Sequence, residues 1–215
     1  MNTLKLYDYY RSSACFRVRI ALELKELEYQ RIPIHLMNKG GEQHSAAYQT
    51  INPQSLVPSL KHDDKIITQS LAIIEYLEDL YPTPSLFSKD PYIKALIKSF
   101  ALTIVADIHP LNNLRVLNYL TKELNVSDEM KTKWYHHWIT INFDALETQL
   151  NALDLSKNFC FGDQATLADI CLVPQMYNAK RFNIDLSPYP TLVRIDDYCQ
   201  QQTAFIKAWP EEPVT

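Results

Sequence analysis

Apolar and polar positions alternate from Thr3 to Tyr9, and Cys15, Val18, Ala21 and Leu22 then recur at helical spacing, so the chain opens on a predicted strand and a helix over Ser13 to Lys25. Tyr29 to Ile34 reads as a second strand, and a polar, irregular segment follows from His35 to Tyr48. Val57-Pro58-Ser59-Leu60-Lys61 and Lys65-Ile66-Ile67-Thr68, joined through the polar Asp63-Asp64, predict a hairpin. Ser70 is expected to cap a helix carrying Leu71, Ile74, Leu77 and Leu80. This order describes a small mixed sheet with helices packed on its faces.

Beyond residue 90 the period changes to that of helices alone. Apolar-periodic segments near Tyr92 to Leu124, Asp128 to Leu153, Thr166 to Asn178 and Pro190 to Gln201 predict a helical bundle. Thr166-Leu167-Ala168-Asp169 places an acceptor side chain and a carboxylate at the spacing of a capping box. Between the two regions lie Pro82-Thr83-Pro84-Ser85 and Pro91, which remove backbone donors and end the preceding helix. The boundary is therefore expected between residues 82 and 91, with one domain over 1–82 and an all-helical one over 91–215.

Composition narrows the functional classes. The 215 residues are 47% hydrophobic and 21% charged, ordinary globular usage, and 21 Lys plus Arg against 25 Asp plus Glu leave a charge of −4 with no basic block, so no nucleic-acid partner is expected. Three glycines, Gly40, Gly41 and Gly162, build neither a G-x-G-x-x-G turn nor a P-loop. No basic-then-apolar leader precedes the first strand, and no uncharged apolar run approaches the roughly 18 residues that span a bilayer, so a cytoplasmic protein without membrane partners is expected. Cys15, Cys160, Cys171 and Cys199 are scattered and read as free thiols. No metal site is expected: the adjacent His136 and His137 diverge on a helix, and Trp134, Tyr135 and Trp138 read as helix packing.

The segment with most chemical content is Tyr10-Arg11-Ser12-Ser13-Ala14-Cys15-Phe16-Arg17-Val18-Arg19-Ile20-Ala21-Leu22, a strand end running into a helix. Unpaired N–H groups and the helix dipole favour an anion there, a thiolate included; the alternative role of Ser12 or Ser13 is that of a simple N-cap. The stretch resembles the Ser-Ser-Cys-x-x-Arg-Val-Arg-Ile-Ala-Leu signature of zeta-class glutathione transferases, the family that includes maleylacetoacetate isomerase and glutathione-dependent maleylpyruvate isomerase. Asn52-Pro53, Val57-Pro58, Gln69-Ser70-Leu71-Ala72-Ile73-Ile74-Glu75-Tyr76-Leu77, Tyr81-Pro82-Thr83-Pro84, His109-Pro110-Leu111, Leu167-Ala168-Asp169, Asn178-Ala179-Lys180-Arg181-Phe182 and Asp185-Leu186-Ser187-Pro188-Tyr189-Pro190 continue it in order over nearly the whole chain.

The resemblance implies a thioredoxin-like N-terminal domain that binds glutathione, an all-helical domain that completes the substrate pocket, and a homodimer. It implies that Ser12, with Ser13 and Arg11 beside it, acts on the glutathione thiolate. It further implies that Val57 pairs through its backbone with the cysteinyl part, that the Val57–Pro58 bond is cis, that Gln69 and Ser70 receive the γ-glutamyl carboxylate, and that Gln43 contacts the other end of the tripeptide. The implied reaction is cis–trans isomerisation of maleylacetoacetate to fumarylacetoacetate in phenylalanine and tyrosine breakdown. Maleylpyruvate isomerisation in gentisate breakdown, general glutathione transfer and a non-catalytic scaffold are the alternatives.

Such substrates are dianions, which planar guanidinium groups hold bidentately. Arg11 and Arg181 belong to the zeta pattern generally, whereas Arg115 is more like the maleylpyruvate branch; His109 and Asn113 are placed with them as substrate contacts. The competing role for each arginine is a surface ion pair, the role expected for Arg17 and Arg19. One departure stands out: Ala14 occupies the family's cysteine position and Cys15 falls one residue later, about 100° round the helix, where it is expected to face the core.

Overall fold

In the computed structural model, which describes residues 3–211, the alternation at the start of the chain becomes β1 (Leu4–Asp8), burying Leu4, Leu6 and Asp8. The helix α1 (Ser13–Leu24) returns the chain to β2 (Tyr29–Pro33), which pairs parallel with β1. The irregular segment holds two 3-10 turns, Asn38–Gly40 and Glu42–His44, and the single turn α2 (Ala46–Gln49). The hairpin of β3 (Ser59–His62) and β4 (Lys65–Thr68) completes a sheet of order β2-β1-β3-β4, in which β3 runs antiparallel to both neighbours. Then α3 (Ser70–Leu80) buries Ile73, Ile74 and Leu77 and packs on α1. At its end, buried Lys25 donates to Glu78 Oε2 and to the carbonyls of Tyr81 and Pro84, tying α1 to the connector.

Two details of this unit differ from expectation. Ser70 is the first residue of α3 and not its cap; the cap position is Gln69, at φ 69°, and its side chain makes no capping bond. Arg17 and Arg19 lie in the interior, 2% and 0% exposed, instead of in surface ion pairs. Arg19 Nη1 reaches Asp8 Oδ1 at 2.6 Å, its Nη2 donates to the Tyr10 carbonyl and its Nε to the Ala208 carbonyl, while Arg31 Nε holds the other oxygen of Asp8 at 2.8 Å. Buried arginine survives only with such full pairing.

The second unit, Leu86–Gln201, begins with α4 (Pro91–Leu102), capped by Asp90. The apolar-periodic segment from Tyr92 to Leu124 is not one helix: α4 runs into a π-helical stretch, Thr103–Ile108, and stops; Pro110 has no N–H to continue the ladder, and Asn113 takes the Arg115 amide as the cap of α5 (Leu114–Lys122). The helix α6 (Asp128–Leu153) is the longest; α7 (Leu167–Arg181) starts at the expected capping box and α8 (Pro190–Cys199) follows. Residues of α7 are buried on every side, with α4 and α8 packed against it. Trp134 stacks edge-on against Trp138, and Tyr135 lies against Phe182, so this aromatic group serves packing.

A short α9 (Thr203–Lys207) had no counterpart in the sequence pattern. The described residues from Gln202 onward group with the first unit, whereas the sequence placed everything after 91 in the second domain. The cause is visible in the contacts: Phe205 is buried, Trp209 meets Phe16 edge-on at 5.6 Å, and Arg19 holds Ala208. Among the described residues no helix is long and apolar enough to cross a membrane, and no cluster of His, Cys, Asp and Glu could hold a metal ion.

Candidate active site

Strand directions determine where the chemistry-bearing residues of the first unit fall. Parallel pairing puts the C-terminal ends of β1 and β2 at the same edge; β3 is antiparallel to β1 and β4 to β3, so β4 also ends there and β3 begins there. The N-terminus of α1 follows β1, that of α3 follows β4, Gln43 lies in the segment after β2, and Val57–Pro58 precedes β3. Ligands of open α/β sheets bind at this end, where helix N-termini point outward.

Each residue is held there by identifiable bonds. Ser12 caps α1, its Oγ accepting from the Cys15 amide at 3.3 Å, which leaves the hydroxyl proton to donate. Ser13 is buried beside it; Arg11 is exposed, with its guanidinium 5.1 Å from the Tyr10 ring centre. Cys15 points the other way. It is fully buried, its Sγ accepts from the Tyr9 amide, and burial together with the Asp8 carboxylate pushes its thiol well above the usual range despite the helix N-terminus.

The Val57–Pro58 bond is cis. Tyr48 Oη and Asn52 Nδ2 both donate to the Leu56 carbonyl, at 2.7 and 2.8 Å, bracing the loop just before it, and the amide and carbonyl of Val57 find no partner among the described residues. Ser59 pairs with Thr68, so Val57–Pro58 leaves the hairpin beside Gln69–Ser70. Gln69 Nε2 bridges to Gln54 Oε1 at 3.1 Å across the same two loops. A non-glycine residue at positive φ costs about 1–3 kcal/mol and tends to be kept where function requires it. Ser70 is buried, its Oγ accepting from Arg17 Nε at 3.1 Å. Gln43 is 8% exposed, and its Oε1 has no hydrogen-bond partner among the described residues. Gly41 lies alongside it at φ 105°, a backbone conformation that residues with a Cβ rarely adopt, and a Cβ there would also oblige the Gln43 amide to shift.

The comparisons with known proteins bear directly on this set. Residues 6–85 match the family model "Glutathione S-transferase, N-terminal domain". The probable maleylacetoacetate isomerase of Vibrio cholerae is 48% identical over 98% of this chain and 97% of its own length. The chain belongs to the zeta-class glutathione transferase family, that of maleylacetoacetate isomerase. Among solved structures, the holo form of a bacterial zeta-class maleylpyruvate isomerase superposes with a TM-score of 0.93 at 40% identity, covering 96% of each chain. Maleylacetoacetate isomerase from Methylobacterium extorquens AM1, solved with malonate and glutathione, gives 0.91 at 35% identity, again over 96% of both.

The remaining candidates of this zeta-class chain lie in the second unit. His109 ends the π-helical stretch, half-buried, its amide donating to the Ile104 carbonyl. The Asn113 side-chain oxygen is occupied by the Arg115 amide, and the Arg115 side chain is exposed. Arg181, at the end of α7, lays its guanidinium 4.9 Å from the Phe182 ring centre, and Phe182 in turn stacks on Tyr135. What the sequence reasoning missed is Arg17. Its signal was present: with Ala14, Cys15, Phe16, Val18, Ile20, Ala21 and Leu22 apolar, α1 retains no solvent-facing stripe on which two arginines could lie.

Proposed function

We propose that the protein is a glutathione-dependent cis–trans isomerase that converts maleylacetoacetate to fumarylacetoacetate. The observation that carries this reading is the unsatisfied hydrogen-bonding capacity gathered at one end of the sheet. The free amide and carbonyl of Val57 suit an extended peptide added strand-fashion, and the orphaned Gln43 Oε1 suits an amide donor of that peptide. The N-termini of α1 and α3 suit a thiolate and a carboxylate. These are the groups of a γ-glutamyl tripeptide, and the residues present fit it.

When bound, glutathione supplies the thiol nucleophile whose reversible addition frees rotation about the conjugated double bond. Ser12 donates its hydroxyl proton toward that sulfur, with the α1 dipole favouring the charged form, and Ser13 and Arg11 border the same point. Gln69 and Ser70 receive the γ-glutamyl carboxylate, Val57 and Pro58 hold the peptide extended, and Gln43 holds its far end. The family resemblance assigns Arg11, Arg115 and Arg181 to the two substrate carboxylates and to negative charge developing on the carbonyl oxygen, with His109 and Asn113 as further substrate contacts.

A second substrate reading, maleylpyruvate, is favoured by Arg115, the arginine more like that branch. The protein would then serve gentisate breakdown in place of phenylalanine and tyrosine breakdown. We infer further a homodimer, on the family resemblance, and a cytoplasmic location, on four cysteines that all stand as free thiols. Initial rates with maleylacetoacetate and maleylpyruvate, each with and without glutathione, test the proposal: a glutathione-dependent rate establishes the isomerase, and the ratio of kcat/KM values names the substrate. Background rates on both would leave only general transfer or a scaffold.

A further inference from the structure

Resting on the reading of Ser70 as a glutathione contact, we propose that Arg17 is a positioning residue that orients the Ser70 hydroxyl for the γ-glutamyl carboxylate. Arg17 lies in the interior of α1 at 2% exposure, Ser70 is the first residue of α3 at 4%, and Arg17 Nε donates to Ser70 Oγ at 3.1 Å across 53 positions of chain. A serine hydroxyl rotates freely unless its lone pairs are engaged. With an N–H of Arg17 filling the acceptor side of Oγ from within the protein, the hydroxyl proton is directed away from the guanidinium, toward the end of the sheet where α3 begins. No acceptor for that proton occurs among the described residues. An anion at the α3 N-terminus is the partner it is prepared for, alongside the backbone N–H groups of the first turn.

The bond also explains how Ser70 can be buried at a helix start without serving as the cap. Its oxygen is satisfied by Arg17, and the chain is brought into that geometry by Gln69 at φ 69°. Arg17 touches neither sulfur nor double bond in this scheme, so its effect falls on glutathione affinity and not on turnover.

The test exploits chain length. Gln carries its amide nitrogen at the same distance along the side chain as Nε of arginine, and Met places a methyl there, so Arg17→Gln keeps the donor to Ser70 while Arg17→Met removes it at similar volume. At saturating maleylacetoacetate, Arg17→Met should raise the KM for glutathione about tenfold with kcat held within about twofold, and Arg17→Gln should recover KM to within about threefold of wild type. The double variant Arg17→Met/Ser70→Ala should be no worse than Ser70→Ala alone. Equal losses in the Gln and Met variants, or additive losses in the double variant, overturn the proposal. Should Arg17→Met fail to fold by circular dichroism, Arg17→Gln decides alone: KM within about threefold supports the role and a tenfold rise overturns it. Wild-type glutathione affinity in Ser70→Ala is a separate outcome. It removes Ser70 from the binding site and the Arg17 role with it, whereas additive losses leave the Ser70 reading standing.

Discussion

Arg19 Nε donates to the carbonyl of Ala208 at 2.9 Å, joining residues 189 positions apart. The same guanidinium holds Asp8 at the end of β1 and the Tyr10 carbonyl at the entry to α1, so one buried side chain ties the central strand, the turn that carries Arg11 and Ser12, and the C-terminal segment. Its charge is offset by Asp8, itself 2% exposed, and all its bonds run to groups that would otherwise be unsatisfied in the interior.

Replacing Arg19 with Met should therefore destabilise the protein by about 3–5 kcal/mol, because the carbonyls of Ala208 and Tyr10 lose their donor and Asp8 keeps only Arg31. Equilibrium urea unfolding measures it; a midpoint unchanged from wild type would show that this network contributes nothing net.

Ser12 has two separable roles. As cap of α1 its loss to Ala should cost about 1 kcal/mol, and glycine, which caps nearly as well, only a few tenths. As donor to the sulfur, its loss in either variant should lower kcat by about 10²–10³ while the KM for glutathione stays within about threefold. Thermal melts and steady-state kinetics on both variants separate the roles, and wild-type turnover in Ser12→Gly would remove the hydroxyl from the chemistry.

All four cysteines are buried, and burial pushes the thiols of Cys15, Cys160 and Cys199 upward. Native protein at pH 8 should release almost no chromophore from a disulfide reagent within minutes, and four equivalents once unfolded in guanidinium. Rapid native labelling at Cys15 would contradict its place in the core.

The carboxyl of Asp196 is buried with one oxygen unpartnered, and burial raises its pKa above the ordinary 3.8 even though Lys180 and Gln200 both donate to Oδ2 at 2.6 Å. A group raised in the folded state holds its proton longer there than in the unfolded chain. Its contribution is complete below the unfolded value and is lost as pH climbs through the folded one. Asp196→Asn removes this opposing slope, so the rise in stability between about pH 4 and pH 6 should be steeper in the variant than in wild type. Melting temperatures across that range check the sign.

The elements most legible in the sequence were those with a strong period or a specific terminus. Alternation in Leu4–Asp8, the apolar face of α3 and the Thr166–Asp169 capping box each appear where local pattern puts them. The five-residue α9 escaped because one turn carries no measurable period, and its place on α1 depends on Phe16 and Arg19 far away in sequence. The break after Ile108 is marked in the sequence only by Pro110 and the cap at Asn113, because the apolar residues on either side stay in helical phase. At the candidate site, residue types were readable and their bonding was not. Ser70 looked like a cap because serine at a helix start usually is, but Arg17 supplies the partner that frees it from that duty.

The return of the chain's end to α1 also changes what a fragment can be. By connectivity Leu86–Gln201 is an insertion, and the sheet unit is closed only when residues from both sides of it are present. A chain ending at Ser85 would uncover Phe16 and strand the Arg19 guanidinium without its Ala208 carbonyl, directly behind the turn that bears Ser12. Substitutions at Phe205, Ala208 or Trp209, remote in sequence from every motif that identifies the family, are in this sense lesions of the N-terminal unit.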